Sequence, residues 1–433
     1  MSELLFIEGG RVIDPAGGVD GVRTVVIRDG AIAEVAERVE RPREARSLDA
    51  RGRWVTPGFL DLHVHLREPG QEYKETVATG ARAAVAGGFT TIVAMPNTRP
   101  PNDTASVTEL VLARAAAAGL ARVLPAGCIS KGQAGEELAE YGELKAAGCV
   151  ALSDDGKPVA SSSLMRRALE YARAFGLPLS VHEEDPALVG KGVMNEGAAA
   201  TRLGLKGSPP QAEEVMVLRD VALAELTGGR VHFQHVSAAG SVRAIREAKR
   251  RGVRVTAEAT PHHLALTDED LAASGYDTDF KMAPPLRSEE DVRAVREGLA
   301  DGTIDCVATD HAPHSRVEKD LEFDAALNGI VGLETAFPVC LALARAGAFS
   351  ERRLIEALTA SPARAFGLAG GTLARGAPAD LAVLDPAAEW VVDPARLHSK
   401  SGNTPWKGRR LVGRCTHALV GGRLVHGEGK ADR

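Results

Sequence analysis

His63 and His65 in "DLHVHLREPG" stand two positions apart, straight after an apolar run. On a strand, alternate side chains share a face. The two imidazoles, and Arg67 if the strand persists, therefore converge on one spot. Other short apolar runs also end in polar groups. Asp154-Asp155 closes "CVALSDD", His182 closes "LPLSVH", His235 closes "RVHFQH" and Asp310 closes "IDCVATD". Four imidazoles and two carboxylates suit zinc-like ions. Charge counting favours two ions, since Asp155, Asp310 and a bridging hydroxide offset three of their four positive charges. Such a pair lowers the pKa of its bound water, and Asp310 beside that water can carry its proton.

Further polar groups belong to the same constellation. Asn97 follows "FTTIVAM", and His314 lies four residues after Asp310. Arg67 and His314 are not needed as ligands. They can instead hold an anionic substrate, the planar fork of Arg matching a carboxylate. His262 and His263 in "ATPHH" read as supporting or structural groups, as does His311. Nothing near Cys128 marks it as a nucleophile. The polar stretch 315–329 reads as a lid over the site.

Eight apolar, β-branched runs must position these groups: 58–65, 89–95, 122–128, 149–155, 177–182, 230–235, 254–259 and 304–310. Amphipathic segments separate them. Val242, Ile245 and Ala248 recur on one face of 241–252, and Val215, Leu218, Ala222 and Leu226 on one face of 211–226. Strand–helix alternation implies parallel pairing with right-handed crossovers. Eight units predict an α/β fold, a (β/α)8 TIM barrel with its site at the C-terminal strand ends. Both chain ends carry short β-like pieces separated by turn glycines. They predict one small flanking β-domain from residues 1–57 plus 371–433, beside a barrel over 58–370.

Composition bounds the function. The 433 residues are 44% apolar and 25% charged, with net charge −6 and no basic block, which argues against nucleic acid and anionic membranes as partners. No run of apolar residues is long enough to span a bilayer, and the N-terminus lacks the pattern of a secretory signal. Five scattered cysteines without a C-x-x-C pair read as buried thiols in a reducing cytoplasm. Phosphate-loop, dinucleotide and nucleophile-elbow motifs are missing.

The motifs "DLHVHLREPG", "GGFTTIVAMPNT", "SDDG", "VHEED", "QHVS", "TAEATPHHL", "ATDHAPH" and "GIVGLETAFP" resemble the bacterial class I dihydroorotases of the amidohydrolase superfamily. The resemblance runs from about residue 4 to 426. It implies two zinc ions and the interconversion of N-carbamoyl-L-aspartate with L-dihydroorotate and water, in pyrimidine synthesis. It also implies one metal on His63, His65, Asp155 and Asp310, and a second on Asp155, His182 and His235. Asp155 rather than Asp154 bridges, by the family's spacing to His182. The family's substrate residues map onto Arg67, Asn97, His314 and the pair Asn328-Gly329, and Asp310 shuttles the proton. Two positions depart from the family: Ala283 stands where an asparagine is usual, and Asn328 where a phenylalanine is usual. Related readings are a dihydropyrimidinase or allantoinase, which usually bridge their metals with a carboxylated lysine, and a non-catalytic subunit of an aspartate transcarbamoylase complex. A homodimer and an aspartate transcarbamoylase are the macromolecular partners this resemblance leaves open.

Overall fold

The computed structural model describes residues 4–427; positions 1–3 and 428–433 of the expected β-domain lie outside them. The chain opens with β1 (Leu4–Asp14), β2 (Val19–Arg28) and β3 (Ala31–Ala36), antiparallel neighbours in that order. Next, β4 (Arg46–Asp49) and β5 (Trp54–Pro57) lie parallel to β1. Gly58 then turns the chain into the barrel. A Cβ there would lie 2.0 Å from Thr90 Oγ1, so no larger residue fits this joint.

The barrel strands are β6 (Phe59–Val64), β7 (Phe89–Ala94), β8 (Arg122–Gly127), β9 (Ala151–Leu152) and β10 (Leu179–Val181). After the small pair β11 (Met194–Asn195) and β12 (Gly207–Ser208) come β13 (Val231–Phe233), β14 (Val255–Ala259) and β15 (Cys306–Val307). The eight barrel strands pair in parallel in sequence order. Every predicted run holds one of them. The last and first strands meet through the residue after Asp310: His311 bridges Val64 on one side and Ile330 on the other, and its carbonyl accepts from His65 N at 2.8 Å. The strands are almost wholly buried because helices cover them outside, which is why they read as continuous apolar runs.

Several helices begin where a threonine or serine side chain caps the first turn. Thr76 caps Val77–Ala86 and Ser288 caps Glu289–Asp301. The helix Ala239–Arg250 buries Val242, Ile245 and Ala248, as predicted. The helix Gln211–Thr227 does not bury the predicted stripe. Val215, Leu218 and Leu226 are exposed, at 41%, 49% and 63%, while Ala212, Met216, Val217, Val221 and Ala224 face inward. This helix is apolar on both sides, and its inner face also carries two carboxylates, Glu213 and Asp220. Glu213 is wanted inside because it accepts from Ser237 N and Ala238 N, tying down the loop after His235.

The chain ends with β16 (Leu381–Val391), β17 (Arg410–Val420) and β18 (Arg423–Gly427), joined antiparallel. β16 pairs with β5, so strands from both chain ends form one sheet. One face of this sheet joins the barrel core, where Trp54 packs edge-on against Phe337, 6.1 Å between centroids, and Phe59 touches the same ring. The other face encloses a separate cluster around Ile7, Val25, Leu381 and Val383. All five cysteines are unpaired and buried. No helix among the described residues is long and apolar enough to cross a membrane.

Candidate metal centre and active site

The six predicted ligands meet at the C-terminal mouth of the barrel. His63 Nε2 lies 3.3 Å from Asp155 Oδ1 and 3.4 Å from Asp310 Oδ1. His65 Nε2 lies 3.1 Å from Asp310 Oδ1 and 3.4 Å from Asp155 Oδ2. Metal–ligand bonds of about 2.0–2.1 Å at tetrahedral angles place donor atoms roughly 3.3 Å apart, so these four residues match the edges of a zinc-like polyhedron. A second group forms alongside. His182 Nδ1 and His235 Nε2 stand 2.9 Å apart, each 3.8 Å from Asp155 Oδ1. Asp155 Oδ1 therefore borders both groups.

What lies behind the imidazoles orients them. His63 Nδ1 pairs with Glu258 Oε1 at 2.8 Å, His65 Nδ1 with Asn97 Oδ1 at 2.8 Å, and His182 Nε2 with Glu184 Oε2 at 3.0 Å. Each acceptor holds the outer nitrogen and turns the inner one toward the cage, where a metal would need its lone pair. His63 Nε2 is buried without a hydrogen-bond partner. Orphaned buried polar atoms are costly, and a cation between Asp155 and Asp310 would satisfy this one. The donor set therefore fits a metal pair.

Charge points the same way. Burial works against ionisation of Asp155, yet His63, His235 and His65 outweigh it and hold this carboxyl well below its usual range. Burial opposes Asp310 likewise, and His63 and His65 overcome it. Glu258, backed by His232 and His63, is pulled down to about 2 despite its burial. The cage is thus rich in buried anions, which a divalent cation would offset. Its backbone is strained as well. His235 (φ 32°), Asp310 (φ 47°) and Arg67 (φ 62°) all adopt left-handed conformations, each costing about 1–3 kcal/mol.

Asp154 points elsewhere: it accepts from Ile129 N at 2.9 Å and from the Ser130 hydroxyl, fixing the turn after β8. Burial pushes it up to about 6. Lys157 is exposed, outside the cage. His263 is structural, bonded to Thr260 Oγ1 and to the Pro284 carbonyl. His262 is buried near the histidine cage, and its Nε2 lacks a partner. His311 joins Glu75 Oε2 to Gly332 N. Burial drives the Cys128 thiol far up, which disfavours the thiolate a nucleophile needs.

A cavity of about 300 Å³ opens onto the ligands, lined also by Arg67, Asn97, Ala283, His314, Asn328 and Gly329. That is the lower end of the roughly 300–1,000 Å³ range of small-molecule pockets. Two larger clefts, of about 690 and 720 Å³, are lined mainly by the terminal β-strands and share no residue with the cage. In the small cavity, Arg67 Nε donates to Pro313 O at 3.2 Å and its guanidinium reaches 3.4 Å from His314 Nε2. His314 Nε2 meets Asn328 O at 2.8 Å, and its Nδ1 faces Lys74 Nζ at 3.3 Å. Burial, then Arg67 and Lys74, push this imidazole down to about 2, so it is neutral. Asn97 does more than edge the cavity, since Nδ2 also donates to Asp155 Oδ2 at 3.3 Å. The Gly329 amide donates to Lys281 O, so a ligand meeting this pair must use Asn328.

The chain is similar to known proteins over its whole length. A family model described as dihydro-orotase-like matches residues 52–241, and one described as amidohydrolase family matches 210–426. A curated protein from Anaeromyxobacter dehalogenans (strain 2CP-C), named dihydroorotase, is 82% identical over the full length of both chains. Another of that name, from Geotalea daltonii, is 53% identical and covers 98% of this chain and 99% of its own. The chain belongs to the dihydroorotase family. Among solved structures, an L-hydantoinase (dihydropyrimidinase) from Arthrobacter aurescens superposes with a TM-score of 0.88 at 26% identity, covering 99% of this chain and 97% of that one. The family's fold, a TIM barrel with an added β-sheet, is the one described above.

Three site groups escaped the sequence reading: Glu184, Glu258 and Lys74. Glu258 carried a signal, being a lone carboxylate inside a strand buried on both faces. Glu184 follows His182 by two residues, the spacing that returns a side chain to the same face.

Proposed function

We propose that this protein opens and closes the dihydroorotate ring, interconverting L-dihydroorotate and N-carbamoyl-L-aspartate with the help of two zinc ions. The observation that carries the reading is the Asp155 oxygen bordering two donor groups, in the same small cavity as Arg67. His63, His65, Asp155 and Asp310 would hold one ion, and Asp155, His182 and His235 the other. Bound there, the ions supply Lewis acidity and a water activated at neutral pH.

The chain's own residues do the rest. Arg67 is the cation of the cavity and with Asn97 it holds the substrate carboxylate. Neutral His314 joins them by turning its one N–H from Asn328 O to the substrate. Lys74, behind His314, is paired with Glu318 at 2.8 Å and holds the imidazole from that side. Asp310 is ionised and faces the cage, so it can accept a proton from the attacking water and return it to the departing ring nitrogen. Ring closure runs through the same groups in reverse. The unpaired cysteines suit a reducing cytoplasm.

Asp310→Ala tests the proton carrier. Turnover of dihydroorotate should fall by about 10²–10⁴ or more, with the fold retained by circular dichroism; near-normal turnover would refute the role. Hydantoin and allantoin assayed alongside separate the related chemistries. Lys157 is exposed and, among the described residues, no lysine lines the cavity to form a carboxylated bridge, which favours dihydroorotate.

A further inference from the structure

The segment 323–329 carries Asn328 and Gly329 to the cavity, yet it has no helix or strand of its own. Its carbonyls are collected by two buried ammonium groups. Lys319, 1% exposed, ends the helix Arg316–Lys319; its Nζ donates to Leu327 O at 2.9 Å, Gly329 O at 3.1 Å and Lys281 O at 3.5 Å. Lys281, 5% exposed, comes from another part of the chain, and its Nζ donates to Asp324 O at 3.0 Å and Ala326 O at 2.7 Å. An ammonium has three donors and no acceptor, so Lys319 is fully engaged by backbone. The Lys281 carbonyl also receives the Gly329 amide at 2.9 Å.

Gly329 has little freedom here. Its φ is 128°, and a Cβ would approach Ala312 Cβ to 2.6 Å and His314 Nε2 to 3.3 Å. Its neighbour Asn328 accepts from His314 Nε2. The position of His314 and the cavity edge therefore depends on where the two ammonium groups hold the backbone.

We propose that Lys281 and Lys319 are positioning residues for substrate grip, the interior staples that set the Asn328-Gly329 edge of the cavity. They neither touch the metal cage nor enter the cavity, and the segment lies outside the barrel core. The inference rests on the function proposed above, which makes this cavity the substrate site.

Lys319→Met and Lys281→Met test it, with Lys319→Gln as a milder variant. Each is measured for kcat, KM for dihydroorotate, metal content, and hydrogen exchange at the Gly329 amide. KM should rise about tenfold or more with kcat and metal content little changed, the mark of lost ground-state binding, and Gly329 exchange should quicken. Unchanged KM and exchange would overturn the proposal. So would metal loss with kcat falling alongside, or failure of both Lys319 variants to fold, which would assign the lysine to the fold instead. Exchange is read without turnover. An unmodified protein inactive on dihydroorotate therefore defeats the functional reading, whereas unchanged exchange in the variants defeats the staple.

Discussion

Glu258 shows how a single residue tunes the centre from behind. It accepts from His63 Nδ1 and His232 Nε2, at 2.8 and 3.0 Å, and neither contact is local in sequence. Gln in its place keeps one acceptor oxygen for two imidazoles and lacks the charge. Glu258→Gln should weaken metal binding about 10–100-fold, read by competition with a chromophoric chelator; equal affinity would show that His63 needs no such partner. The convergence of the six candidate ligands was legible because each closes an apolar run, and a barrel gathers such ends on one rim. Glu258 was not, because only the fold tells which side of the buried strand faces His63, 195 positions away. Lys74 was hidden in a loop whose path depends on Glu318, its partner at 2.8 Å.

At the scale of elements, the eight strands could be read because β-branched runs and turn glycines mark them. The seat of the helix Gln211–Thr227 could not, because apolar residues occupy both its sides. The observed seat makes a sharp contrast. Met216→Ala should destabilise by about 2–5 kcal/mol, whereas Leu218→Gln should stay within about 0.5 kcal/mol, compared by urea midpoints. Equal effects would place the helix wrongly. The stretch 315–329, read from sequence as a lid, edges the cavity and is held there by Lys319 and Lys281, and Lys319 gives it a pH signature. Burial pulls this ammonium from 10.5 to about 8, with Asp279 and Asp277 pulling it up and Lys281 and Lys407 pushing it down. Between those two values the unfolded chain keeps a proton that the folded chain has released, so stability from this residue rises with pH across the window. Lys319→Met should lose that increment, seen as a smaller gain in denaturation midpoint from pH 8 to 10 than in the parent. An identical gain would contradict the assignment.

For the molecule as a whole, one face of the sheet built from both chain ends packs into the apolar core of the barrel through Trp54, Phe59 and Phe337. The fold therefore does not depend on the proposed metals, which would bind only its native state. Removing them should lower the thermal midpoint without unfolding the chain at room temperature, and returning zinc should restore it. The histidine and carboxylate cage needs only small local adjustments to accept ions, since its donor atoms already stand at coordination spacing. The most direct test is dihydroorotate hydrolysis by the purified protein before chelation, after it, and with zinc returned. Activity that vanishes with the metal and comes back with zinc is the predicted result; full turnover in protein shown to be stripped of metal would contradict the account.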